Sequence, residues 1–203
     1  PALANAMACR VIVPGGQGTD LQLARIEVEV DRGSSEMRPL MRRLYGALWE
    51  QLVLPRRAKA NVLINLCNMG PVLHRDSFTM VHDAQVYTSP ASYSRAFRTW
   101  YRLMLPWLGK RNRALLTVSE FSRKQLDAYG VADAARIEVI YNGCDHVLRL
   151  VPDLAKADAA GLAGKRYVVA LANIQLHKNI GVLLKAFQSP ELRDMTLVLF
   201  GPA

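Results

Sequence analysis

At 203 residues, 51% of them apolar and 21% charged, the chain can bury one ordinary domain, or one domain with part of another, which excludes wholesale disorder. Its three cysteines, Cys9, Cys67 and Cys144, are odd in number and widely spaced, arguing against a disulfide framework or a clustered thiolate metal site; no apolar run nears the roughly 20 residues of a membrane span, and a secretory signal is not evident, so a reducing, cytoplasmic setting is expected. The net charge is +9, an excess that attracts anions: nucleic acid, acidic lipid headgroups or phosphorylated small molecules.

Strand-like runs recur at residues 9–13, 24–30, 62–66, 79–83, 114–118, 137–141, 168–172 and 196–200. Several are apolar at both parities, as in Leu115-Leu116 and Val168-Val169-Ala170-Leu171, which is how a parallel strand covered on both faces reads. The first run leads into Pro14-Gly15-Gly16-Gln17-Gly18. A dinucleotide-binding loop requires a helix to open there, whereas Ile26, Val28 and Val30 alternate with Glu27 and Glu29; a plain strand-to-strand turn is therefore favoured. A helix is expected from Ser35 to about Leu54, with Leu40, Leu44, Leu48 and Leu52 at spacing four and Pro55 as its stop. Basic charge gathers in this region: Arg38, Arg42, Arg43, Arg56, Arg57 and Lys59 are accompanied by Glu50 alone.

Val81-His82-Asp83 ends a strand, and the carboxyl ends of parallel strands are where α/β proteins bind ligands. An imidazole there can hydrogen-bond a sugar hydroxyl or position an acceptor; Asp83 can orient it, accept from the acceptor, or merely cap a turn. Residues 93–113, from Tyr93 to Arg113, mix Phe97, Trp100, Tyr101 and Trp107 with arginines, and no acid occurs between Asp83 and Glu120. On a helix this suits an anionic membrane surface; core aromatics with arginines on the wet face is the competing reading, and Pro106 is expected to break or kink the helix.

Val118-Ser119-Glu120-Phe121-Ser122-Arg123 runs from a strand into a helix closing at Gly130. Free backbone N–H groups there suit an anion, and plain capping by the serines fits equally. Residues 152–164 (PDLAKADAAGLAG) read as a connecting segment with one short helix. Beyond them, Asn173-Ile174-Gln175-Leu176-His177-Lys178-Asn179 joins a strand to a helix over 179–188, with Asn179 as N-cap, Ile180, Leu183, Leu184 and Phe187 on one stripe, and Ser189-Pro190 at its end. Lys178 is placed to hold a diphosphate by charge and hydrogen bonding; as a merely solvated residue it would oppose the helix dipole. His74 and His146 lack metal-ligand spacing and read as loop residues or satisfied polar contacts. The strand–helix alternation argues an α/β fold with a Rossmann-like parallel sheet.

Read together, these segments resemble the GT-B glycosyltransferases, specifically the family of retaining, nucleotide-sugar-dependent enzymes numbered four. The resemblance is carried, in order, by Trp49-Glu50-Gln51-Leu52-Val53-Leu54-Pro55 with Asn68-Met69-Gly70-Pro71, by Val81-His82-Asp83, by Thr117-Val118-Ser119-Glu120-Phe121-Ser122, by Val139-Ile140-Tyr141-Asn142-Gly143-Cys144-Asp145, and by Leu171-Ala172-Asn173 with His177-Lys178-Asn179 and Leu183-Leu184-Lys185-Ala186-Phe187.

The resemblance implies two Rossmann-like domains about a cleft: residues 1–150 mainly binding acceptor, a linker over 151–165, and residues 166–203 opening the domain that mainly binds a nucleotide sugar. It implies transfer with retention and no metal or other cofactor, since basic side chains and helix N-termini offset the charge of the departing diphosphate. Under it His82, with Asp83, faces the transferred sugar or the acceptor. Lys178 holds the diphosphate, with Asn173 and His177 in the same donor-side loop; Asn142 and Gly143 shape a loop near the cleft; and Ser119 supports the architecture. The family's first strand with its Gly-rich loop would precede residue 1, and its Glu-x7-Glu motif would follow Ala203, so the chain reads as a fragment unable to complete transfer alone. The implied partners are a nucleotide-sugar donor, a saccharide or lipid-linked acceptor and, through residues 93–113, the inner face of an anionic membrane. The competing readings are a non-catalytic α/β module whose basic face binds a membrane or nucleic acid, and an inactive remnant of the enzyme. Nucleic acid is not expected, because no recognition helix or RNA-type aromatic pattern occurs.

Overall fold

A computed structural model describes residues 10–13, 27–30, 45–59, 61–151, 154–172 and 178–201. The chain divides into two compact units, residues 1–83 with 103–140, and residues 84–102 with 141–203.

In the first unit, β1 (Arg10–Val13) and β2 (Glu27–Val30) pair in parallel, Arg10 against Glu27 and Val13 against Val30. This corrects the expectation of a plain turn between them. A tight turn reverses the chain and joins antiparallel strands, whereas a parallel pair needs a crossover of about a dozen residues or more. Pro14-Gly15-Gly16-Gln17-Gly18 itself lies outside the described residues.

The central sheet holds β3 (Leu63–Asn65), β4 (Ser77–Met80), β5 (Ala114–Thr117) and β6 (Ile137–Val139), in that order and all parallel. The protein is thus α/β with a Rossmann-like parallel sheet. The connection from β4 to β5 carries α2 (Gln85–Thr88) and α3 (Arg95–Arg111); that from β5 to β6 carries α4 (Glu120–Ala128), which packs on both strands. Leu105 and Leu108 of α3, Leu115 of β5, Leu126 of α4, Val131 and Ile137 of β6 are each at most 2% exposed. Each such side chain contributes roughly 1.5–3 kcal/mol of burial.

Two prolines do not end their helices. Residues 35–44 of the expected long helix lie outside the described residues, but the chain is helical from Tyr45, makes a π turn over Trp49–Val53 and continues as α1 (Leu54–Ala58) straight through Pro55. In the π turn the Leu54 N–H reaches back five residues to the Trp49 carbonyl. The widened turn makes room for a proline ring that would otherwise strike the carbonyl four residues earlier. It also resets the buried face: Trp49, Leu54 and Ala58 are buried, at spacings of five and four, while Leu48 and Leu52 of the expected leucine stripe are exposed. The helix ends instead at Lys59, in a positive-φ conformation.

Pro106 lies inside α3, which neither stops nor restarts there. A mid-helix proline costs on the order of 3 kcal/mol, and the complete burial of Leu105 and Leu108 on either side outweighs that.

In the second unit, α5 (Leu154–Ala159) precedes the parallel pair β7 (Arg166–Leu171) and β8 (Met195–Phe200), in register from Arg166–Met195 to Leu171–Phe200, with α6 (Ile180–Ala186) between them. One helix and two strands cannot cover both faces of their own sheet, and Val169, Leu171 and Phe200 are exposed. Asn179 occupies the N-cap position of α6, but in left-handed backbone geometry and without a side-chain capping bond. Among the described residues no helix is long and apolar enough to cross a membrane.

Candidate functional site

The site is built at the carboxyl end of β4. That strand closes at Met80 rather than Asp83, yet Val81 stays tied to β5: its N–H donates to the Leu116 carbonyl at 2.7 Å, and Thr117 Oγ1 donates to its carbonyl at 2.7 Å. His82 is therefore the first residue free to turn away from the sheet. Three contacts then fix it. Its backbone N–H donates to Asn68 Oδ1 at 2.7 Å, its carbonyl accepts from Ser122 Oγ at 3.0 Å, and its ring Nε2 lies 2.8 Å from the Leu66 carbonyl.

Asn68 can serve because of its own backbone. It adopts a φ of 57°, a left-handed conformation that asparagine tolerates better than most residues. Its N–H donates to the Met80 carbonyl at 2.8 Å, and the adjoining Met69 N–H donates to the Cys67 carbonyl at 2.7 Å. The loop that follows is gripped from the helix beneath it: Gln51 Nε2 donates to the Gly70 carbonyl at 2.9 Å, and Gln51 Oε1 accepts from the Val72 N–H at 3.0 Å. Gly70 has no room for a side chain, since an added Cβ would lie 2.4 Å from Asn65 Nδ2.

The same Gln51 amide donates to Glu50 Oε1 at 3.0 Å. Burial pushes the Glu50 carboxyl up to about 7, with the Gln51 hydrogen bond pulling the other way. Beneath the site runs a buried polar chain in which Thr79 Oγ1 accepts from Asn65 Nδ2 at 3.0 Å and from Asn112 Nδ2 at 2.6 Å.

On the far side of His82, Ser119 caps α4: its Oγ accepts from the Ser122 N–H at 3.1 Å and lies 3.1 Å from Ser122 Oγ. His82 and Ser119 are thus linked through Ser122. Asp83, half-buried, directly follows. In the second unit, Asn142 and Gly143 are exposed in the segment after β6, and Lys178 is exposed before α6. Asn173 and His177 lie outside the described residues. His74 is a satisfied core histidine, its Nε2 lying 2.9 Å from the Asn61 carbonyl.

Sequence reading singled out His82 and Ser119, took Ser122 only as a cap and Gln51 only as part of a helix motif, and missed that these two and the Leu66 carbonyl hold the site. Their contacts span 16 to 40 residues of chain and leave no local pattern. Among the described residues no three His, Cys, Asp or Glu side chains gather as a metal site.

A parallel α/β sheet with a histidine anchored just past the carboxyl end of one strand, beside a serine-capped helix, defines a Rossmann-like unit, a fold whose strand ends are where α/β proteins in general bind ligands. Residues 2–148 match Glycosyltransferase Family 4, and the chain belongs to that family. It is accordingly a glycosyltransferase-type protein, a class that in general works on a sugar donor and an acceptor. No curated protein matches the chain.

Proposed function

We propose that the protein acts in the transfer of a sugar from a nucleoside-diphosphate-sugar to a saccharide or lipid-linked acceptor, with retention of configuration. Residues 1–150 carry the acceptor side, residues 151–165 the link, and residues 166–203 contribute to donor binding. The observation that carries this reading is the triple anchoring of His82 at the end of β4: an imidazole held by backbone and ring is pre-organised to meet a hydroxyl without further ordering cost. Asp83 acts beside it. Lys178, an exposed ammonium, attracts the diphosphate; Asn173, His177, Asn142 and Gly143 are assigned to the donor as well, and basic side chains rather than a metal offset the charge of the leaving group. The test is steady-state kinetics of the full-length protein with a panel of nucleotide sugars. His82→Ala lowers kcat at least tenfold with little change in KM, and Lys178→Ala raises the donor KM; unchanged kinetics in both variants removes the reading.

A peripheral membrane contact belongs to the same proposal. On α3, Trp100, Leu103 and Trp107 are exposed and lie on the side of the helix opposite the buried Leu105 and Leu108. Lys110 and Arg111 flank them on the same side, Arg111 with its guanidinium 5.3 Å from the Trp107 ring, while Arg98 and Arg102 turn to the Pro90 carbonyl and the Tyr87 ring. Exposed tryptophans among basic residues match the chemistry of an anionic bilayer surface. Co-sedimentation with vesicles containing anionic lipid, lost in neutral vesicles and weakened by Trp100→Ala with Trp107→Ala, supports the contact. Equal binding to neutral vesicles, or binding to duplex DNA alone, opposes it.

A further inference from the structure

We infer that the Leu66 carbonyl fixes the ring tautomer of His82, so that Nδ1 is the atom the histidine offers to a substrate hydroxyl, and that Gln51 is the positioning residue that keeps this carbonyl in place. The second half of this inference rests on the reading that His82 meets substrate; the tautomer does not.

A carbonyl oxygen only accepts hydrogen bonds. Its approach to within 2.8 Å of Nε2 therefore requires Nε2 to carry the proton. A neutral imidazole has one N–H, which leaves the lone pair on Nδ1. Among the described residues nothing bonds Nδ1, while every other polar group of His82 is engaged: the backbone N–H by Asn68 and the carbonyl by Ser122. Neutral His82 is thus an acceptor toward any ligand, not a donor.

The tautomer is only as firm as the Leu66 carbonyl. Two residues further along, Asn68 is fixed by its N–H bond to Met80 and by its side-chain bond to the very residue whose ring is being held. Beyond that, Gln51 clamps the chain on both sides of Pro71, one amide group serving the Gly70 carbonyl and the Val72 N–H. No other residue can do this with one side chain from that position unless it offers both a donor and an acceptor, so Gln51→Leu removes both bonds and Gln51→Glu removes the donor.

The tautomer is read by long-range nitrogen–proton NMR of the 15N-labelled protein at a pH where the ring is neutral, the His82 signals being assigned by their loss in His82→Gln. The expected result is a protonated Nε2 and an unprotonated Nδ1 in the wild type, moving toward the averaged shifts of a free imidazole in Gln51→Leu with unchanged circular dichroism. A protonated Nδ1, or averaged shifts in the wild type, overturns the tautomer. Wild-type shifts persisting in a folded Gln51→Leu variant overturn the role of Gln51, and if that variant fails to fold, Gln51→Glu decides it in the same way. The functional half is read by a pair of variants: His82→Asn keeps an acceptor near the place of Nδ1, and His82→Gln keeps a donor near the place of Nε2. Turnover at least tenfold higher for H82N than for H82Q supports Nδ1 as the working atom; equal turnover, or the reverse order, overturns it whatever the NMR shows.

Discussion

Asn68 Oδ1 and the backbone nitrogen of His82 lie 2.7 Å apart, a loop side chain completing the hydrogen bonding of a residue 14 positions later, just beyond the end of β4. The bond depends on the left-handed backbone of Asn68, so substitutions separate two contributions. Asn68→Ala strains the backbone and leaves a partly buried N–H without its acceptor, and loses about 2–3 kcal/mol in urea unfolding. Asn68→Gly relieves the strain but not the lost bond and falls between; Asn68→Asp keeps the acceptor and stays within about 1 kcal/mol of wild type. Equal losses for the glycine and alanine variants would assign the whole cost to the hydrogen bond.

Glu50 predicts a pH dependence whose sign is fixed by burial. Its folded-state value of about 7 lies above the ordinary 4.5, so between those values the folded chain keeps a proton that the unfolded chain has released. Stability therefore falls as pH rises through that window, and the full cost is present above about 7. Glu50→Gln retains an oxygen to accept from Gln51 and carries no charge. It is more stable than wild type by on the order of 2–3 kcal/mol at pH 8, and loses that advantage at pH 4. Unfolding curves of the two proteins at both values check the crossing.

The parts of the fold that sequence made legible are those governed by short-range pattern. Both-parity apolar runs located β5, β7 and β8, and Ser119 followed by Ser122 announced the start of α4. What escaped was set by contacts across the chain or by a departure from ideal period. A spacing of five between Trp49 and Leu54 looks irregular against a period of 3.6, but it is the repeat of the π turn that lets the helix pass Pro55. Thr79 reads as an ordinary strand residue, yet it is fully buried and joins Asn65 to Asn112. His82 was visible as a histidine at a strand end; the carbonyl that orients it belongs to Leu66, and no side chain marks it.

Ser119 and Ser122 divide capping from site support. Removing the Ser119 hydroxyl takes away the α4 cap, and Ser119→Ala costs about 1 kcal/mol. Ser122 is buried and its hydroxyl donates to the His82 carbonyl, so Ser122→Ala leaves a carbonyl without that donor and costs about 1–2 kcal/mol. Because the two hydroxyls lie 3.1 Å apart, the double variant loses less than the two single losses together. A double-mutant cycle in urea reads the difference; strict additivity would show that the serines act independently.

Near the end of α3, Gly109 is required by proximity rather than by backbone angle. A Cβ at this position would lie 1.9 Å from the Val131 carbonyl oxygen and 2.9 Å from the Ala132 Cβ. The obstructing atom is backbone, and Val131 is itself fully buried beside Leu126, so the clash cannot be relieved by rotating a side chain. Relief requires α3 to withdraw from the segment after α4. That movement pulls against Leu105 and Leu108 and against Arg136, whose guanidinium donates to the Asn112 carbonyl at 2.7 Å. In an exposed helix Gly→Ala would add up to about 1 kcal/mol of stability. Here the overpacking reverses the sign, and Gly109→Ala loses about 2–3 kcal/mol. Gly46, which has open space around it and lies in the helix before the π turn, is the internal control: Gly46→Ala gains about 0.5–1 kcal/mol. Thermal or urea unfolding of the two alanine variants side by side checks both signs, and a stabilised Gly109→Ala would mean that α3 and the Val131 segment do not meet as closely as described.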